Sequence, residues 1–193
     1  MKIRWKFLRD GMKSENGNCI WKLGEWKHHA DELSMCNSGF HCSKQINQAF
    51  DLIQGEILAK AQVKGKSIVN DDKEVWSDMR IVKAWKWQKK DNVALAIYAA
   101  EFCLKNFEKL FPDDKRPRLA IEAAKKWIKN PTEESASAAS AASAARSAAS
   151  AARPAASAAR SAAWSAASAA RSEIVAKIET WMKARAKKLE EIK

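Results

Sequence analysis

Apolar and polar residues alternate strictly along Lys2–Leu8, with Ile3, Trp5 and Phe7 against Lys2, Arg4 and Lys6. Period 2 predicts a half-buried strand with its basic residues outward. The turn dipeptides Asp10-Gly11 and Asn16-Gly17 come next, then a second strand over Cys19–Leu23. A short strand is expected at Gly39–Cys42, after the turn residues Asn37-Ser38-Gly39. Ser43 is placed to cap a helix reaching Gln54, with Ile46, Ala49, Phe50 and Ile53 on one face and Gly55 closing it. Glu56–Val63 reads as a strand, Lys64-Gly65 as a turn, and Ile68-Val69 as the return. Val75–Trp87 is a further strand with Ile81, Lys83, Trp85 and Trp87 on one face. Strands in this order, with one helix between them, predict a mostly antiparallel sheet.

From residue 91 the period changes. Asp91 suits the N-cap of a helix over Asn92–Phe111, carried by Val93, Ile97, Ala100, Leu104, Phe107 and Phe111. Pro112 ends it, and Pro117 sits in the first turn of another helix that reaches Lys129. Thr132 suits the N-cap of a third helix. Residues 135–172 are almost entirely Ala and Ser, with Arg146, Arg153 and Arg160 seven apart. Alanine is the best helix former, so a long helix is expected, kinked by Pro154. Its far side, including Ala148, Ala152, Ala155 and Ala159, is bare methyl. The last segment carries Ile174, Ile178, Trp181 and Leu189 on one stripe and reads as coiled-coil or bundle packing. A rod continuous to Lys188 would be about 80 Å long at 1.5 Å per residue. It would overhang a domain of this size, so a homo-oligomer is expected, joined through these alanines with Trp164, Ile178 and Trp181. The fold class is therefore α+β: a small sheet domain over 1–90, a helical pair over 91–134 packing on it, and a helical packing region over 135–193.

The chain has 193 residues and a formal net charge of +12. The basic excess is shared equally between residues 1–90 and 91–193, so there is no basic tail. No apolar run is long enough for a membrane span, and the N-terminus has no secretory pattern. Four cysteines are too few for a disulfide scaffold of this length, which fits a cytoplasmic chain.

His28, His29, Cys36, His41 and Cys42 are the densest group of reactive side chains, but their spacing is not that of a zinc knuckle. No metal site is expected. Trp5-Lys6-Phe7-Leu8, Leu33-x-x-Cys36-x-x-Gly39-Phe40-His41, Gly55-Glu56-Ile57-Leu58-Ala59-Lys60, Val63-x-Gly65 and Asp71-Asp72-Lys73 together resemble an uncharacterised domain family of bacteriophage and prophage genomes. Members often carry Ala-rich helical tails, and some similar tails are labelled immunity proteins. The resemblance implies a non-enzymatic accessory protein, in its specific form an anti-defence inhibitor that binds a host protein or a nucleotide in the host cytoplasm. Arg4, Phe40, His41 and Lys73 would then be the ligand-binding residues.

The order of elements is also similar to the ADP-ribosyltransferase fold. That likeness implies an enzyme using NAD, with Arg9, His41 and Glu74 or Asp78 as its catalytic residues; otherwise no cofactor is expected. A third reading starts from Lys83, Trp85, Trp87 and Lys89. Cations interleaved with indoles can hold phosphates and stack bases, so nucleic acid is a further candidate partner.

Overall fold

The computed structural model describes residues 1–16, 19–53, 55–130 and 160–192. It divides into two compact units, Met1–Gln88 with Glu179–Lys193, and Lys89–Ile178.

The first unit is built on a sheet of six strands, within an α+β architecture. They are β1 (Lys2–Leu8), β2 (Lys27–His28), β3 (Phe40–Cys42), β4 (Ile57–Val69), β5 (Glu74–Lys86) and β6 (Glu191–Ile192), with helix α1 (Ile46–Leu52) between β3 and β4. β4 is central to β1 and β5, and β2, β3 and β6 share the far edge of β5; every named pairing is antiparallel. Ser43, just after β3, exchanges two 2.9 Å backbone hydrogen bonds with Trp5. The sheet thus curls until its far edge meets its first strand.

The curl decides which face is interior. Leu8, Ile57, Ala59, Ala61, Val63, Met79, Ile81 and Ala84 form the inner face, and Trp21, Cys42 and Trp76 fill it. The three alanines leave room for the indoles and for the side chains of Arg4 and Lys6, which lie in register with this row. The expectation that the basic residues of β1 point outward is therefore corrected: Lys6 is buried and Arg4 nearly so. Alternation alone marks two faces without saying which will be enclosed.

Two bulges reset the pattern. Lys64 pairs with Asp78 and Ser67 with Trp76, so Gly65 and Lys66 oppose Ser77 alone. Gly65 has φ +81°, and a Cβ there would overlap Ser77 Oγ and the Asp78 carboxylate. The expected Lys64-Gly65 turn is thus a bulge within one 13-residue strand, and the turn itself lies at Asn70–Lys73. The second bulge pairs Lys60 with Lys83 and Ala61 with Ile81, leaving Val82 extra. It puts Ile81 on the inner face and Lys83 and Trp85 on the outer one, so these residues do not share one face.

Three smaller expectations also change. Cys19–Leu23 forms no strand; Ile20 and Leu23 make isolated bridges to Lys13 and Ile81. Ser43 is buried in its bridge to Trp5, and α1 is capped by Gln45 and Gln48 in a reciprocal capping box. Gly55 lies beyond the end of that helix and is tightly packed, since a Cβ would overlap the backbone of Leu8.

On the outer face, α1 covers one end of the sheet. Phe7 meets Phe50 at 5.5 Å and Trp87 at 5.6 Å, both edge-on. Helix α4 (Arg160–Ala186) stops at Ala186, short of Lys188, and the chain returns as β6. Its last turns belong to the sheet unit. Met182 is fully buried, and Glu179 accepts the backbone N–H of Asn47 at 3.1 Å.

The second unit holds α2 (Lys89–Leu110), α3 (Arg116–Lys129) and α4 as far as Ile178. Asp91 lies buried in the first turn of α2, since the helix begins at Lys89 rather than Asn92. Asp114 accepts the N–H of Arg116 at 3.0 Å, and Pro117 occupies the first turn of α3. Ile97, Ile121 and Ala124 form a small core with Val93, Leu104 and Ile128. Among the described residues no helix is long and apolar enough to cross a membrane.

Candidate functional site

The inner face and the loop at its edge hold five of the sequence-derived candidates: Arg4, Phe40, His41, Lys73 and Glu74. Arg4 reaches Glu74, the first residue of β5, through two parallel bonds: Nε to Oε2 at 2.6 Å and Nη2 to Oε1 at 2.9 Å. The planar guanidinium fork matches a carboxylate in this way, and an ammonium could not. The Trp76 indole N–H donates to the same Oε2 at 2.7 Å. Glu74 is only 1% exposed. Burial alone would raise its pKa, but the bonds from Arg4 and Trp76, with the charges of Arg4 and Lys44, hold it below the ordinary carboxylate value.

Beside this pair, the Lys6 ammonium donates to the carbonyl of His41 at 2.9 Å. Burial lowers its pKa, against the raising influence of Cys42 and Cys19. Burial likewise pushes the Cys42 thiol up to about 12, so it stays protonated and unreactive at neutral pH.

His41 is held neutral. Burial lowers its pKa first, then the charge of Lys6 and more weakly that of Lys73, against an opposing backbone hydrogen bond at Gly39. Its Nε2 accepts the backbone N–H of Cys36 at 2.8 Å. The Cys-x-x-Gly-Phe-His stretch is thereby a folded clasp. Cys36 takes a left-handed φ of 71°, and Gly39 at φ +104° leaves no room for a Cβ beside Leu33 and Val75. Phe40 packs edge-on against Trp21 at 5.2 Å, and Lys73 donates to Cys36 Sγ at 2.9 Å.

The other candidates lie elsewhere. Arg9 pairs with Glu15 and Glu56 beyond the end of β1. Asp78 accepts from Ser77 at 2.6 Å and bonds His28 Nδ1 at 2.9 Å. It is four residues along β5 from Glu74, about 13 Å at the usual strand rise. Lys83 is exposed and paired with Glu191, while Trp85 and Trp87 are buried. Lys89 is in the second unit, 5.7 Å over the Trp127 ring. Ala148, Ala152, Ala155 and Ala159 lie outside the described residues; Trp164 is within α4, and Ile178 and Trp181 are half-buried.

Arg9, His41, Glu74 and Asp78 thus form three separate groupings, not one cleft. Among the described residues no three His, Cys, Asp or Glu side chains converge as a metal-ligand set. Sequence reading missed Lys6 and Trp76, and alternation gave no sign of either, because a lysine opposite an apolar stripe reads as solvent-facing.

Residues 2–90 match a family described as a domain of unknown function, DUF7666. Residues 85–173 match a family described as Imm-5 like putative immunity protein. Both matches agree with a phage- or prophage-type chain of uncharacterised family. No curated protein and no solved structure matches. The first match ends close to the unit boundary at Gln88, and the second spans most of Lys89–Ile178. The buried end of α4 and β6 lie outside both.

Proposed function

We propose that the chain is a phage-type, non-enzymatic interaction protein, an anti-defence inhibitor that binds a protein of the host through its helical unit. The match of residues 85–173 to an immunity-protein family carries the reading. In this reading the chain acts by occupying a partner, and no turnover is needed for that. The inner cluster of the sheet unit supports it from the other side. Glu74 is already engaged by Arg4 and Trp76, and the Nε2 of His41 by Cys36. Both groups are already committed within the fold, and the reading requires no NAD or other cofactor. Association of copies through the helical region, with Ile178 and Trp181 among the contacts, is part of the proposal.

Phe111 and Leu119, at the end of α2 and in α3, are 53% and 60% exposed and give a handle on the partner surface. The chain is crosslinked in a bacterial host, the captured protein purified, and the complex reconstituted and titrated calorimetrically. The expected result is saturable binding of fixed stoichiometry, weakened at least about tenfold by Leu119→Arg and unchanged by His41→Asn. Binding that tracks His41 and ignores every substitution in the helical unit would overturn the reading.

A further inference from the structure

The outer face of the sheet unit carries a second basic surface, which neither family match assigns. Its register is explicit. Trp5, Lys60 and Lys83 stand opposite one another across β1, β4 and β5, and Ile3, Gln62 and Arg80 form the next row. Lys64, opposite Asp78, begins a third row. Trp26 joins from the segment before β2: the Lys64 ammonium lies 4.5 Å and the Arg80 guanidinium 5.0 Å from its ring centroid. Gln62 Oε1 accepts from Arg80 Nε at 2.8 Å and holds the guanidinium in place. Trp5 is half-exposed, backed by Trp85 at 6.2 Å.

Two features separate this surface from an ordinary solvated face. Lys60 directly opposes Lys83, and like charges facing each other across strands destabilise a sheet. Among the described residues neither Lys60 nor Lys64 forms a salt bridge, while Lys83 leans outward to Glu191 at the sheet edge. The face therefore holds four cations about two half-buried indoles; Asp78 is already engaged by His28 and Ser77, and Glu191 meets only Lys83, at the sheet edge. An anion laid over the Lys60–Lys83 row would relieve the repulsion that the fold retains.

We infer that this outer face, Trp5, Trp26, Lys60, Lys64, Arg80 and Lys83, binds single-stranded nucleic acid. The cations contact phosphates, and bases stack on Trp5 and on the guanidinium plane of Arg80, which Gln62 and Trp26 fix. Stacking on indole and guanidinium faces together with a basic track is the chemistry that holds single strands without sequence preference. A duplex keeps its bases stacked internally and offers only phosphates.

The test is fluorescence anisotropy of the full chain with labelled oligothymidylate across a salt series. The expected dependence of log affinity on log salt has a slope of roughly −3, four contacts at about −0.7 each. Lys60→Glu with Lys64→Glu should weaken binding at least about tenfold and flatten the slope by more than one. Trp26→Leu should weaken it about tenfold at unchanged charge. Reversal of two exposed lysines of the helical unit, Lys105→Glu with Lys109→Glu, should leave the affinity within about threefold. Should the Lys60/Lys64 reversal fail to fold by circular dichroism, Lys60→Gln with Lys64→Gln carries the same test with a smaller loss. The inference is overturned by the absence of saturable binding, by an equal loss in the Lys105/Lys109 variant, or by duplex DNA or polyphosphate competing as well as the single strand at matched charge.

Discussion

The two faces of one sheet are both basic, and they neutralise their charge in opposite ways. On the inner face Arg4 is matched by Glu74, and Lys6 is buried with the His41 carbonyl as its acceptor. On the outer face Lys60 and Lys64 have no carboxylate at salt-bridge distance among the described residues, and Lys60 faces Lys83. An enclosed cation must find its polar partners within the fold, because leaving it unmatched away from water is costly. An outer cation can be left to solvent or to a ligand. Cations recurring with the same period on adjacent strands thus serve cohesion on one side and are available for recognition on the other.

If that division holds, breaking the inner pair has the largest effect. Glu74→Ala leaves the Arg4 guanidinium without its carboxylate and should cost about 3–5 kcal/mol in urea unfolding. Arg4→Met combined with Glu74→Met should recover much of that loss. Next in size is Met182→Ala at the end of α4, fully buried in the sheet unit, expected to cost about 3 kcal/mol by the same measurement. An unchanged midpoint there would show that the returning segment is no part of this core. Gly55→Ala must displace the Leu8 backbone and should cost about 1–3 kcal/mol.

The effects of pH on the inner groups are smaller, and in both cases stability rises with pH, in an acid window for Glu74 and an alkaline one for Lys6. Glu74 is depressed relative to its unfolded value of 4.5. Its contribution is present above that pH and lost as pH falls through the depressed value. Glu74→Gln should remove this acid-side slope. Lys6 is also depressed, from 10.5, so the folded state disfavours its charged form. Stability should rise as pH climbs through the lowered value toward 10.5, and Lys6→Met should abolish that rise. Smallest of all, Lys60→Ala on the outer face should change stability by no more than about 0.5 kcal/mol.

The strands of this unit were legible because their alternation is strong, and β1, β3 and β5 fall within a residue or two of expectation. The sense of β1 was not legible. Alternation in Lys2–Leu8 assigns lysine to water, and only the Trp5–Ser43 closure makes the lysine face interior. The bulge at Gly65 looks like a turn because both require a glycine at positive φ. β6 is two residues long, too short for any periodic signal, and its formation depends on partners more than a hundred residues away. Glu74 and His41 were identifiable as titratable groups in the right order. Their mutual commitments were not, since Arg4 and Glu74 are 70 residues apart in sequence.

The most direct test of whether the inner cluster serves the fold and not a reaction is nicotinamide release from NAD, followed chromatographically with the purified full chain. No release above buffer is expected, for the wild type and for His41→Asn alike. Release by the wild type that His41→Asn abolishes while the unfolding midpoint stays unchanged would contradict it.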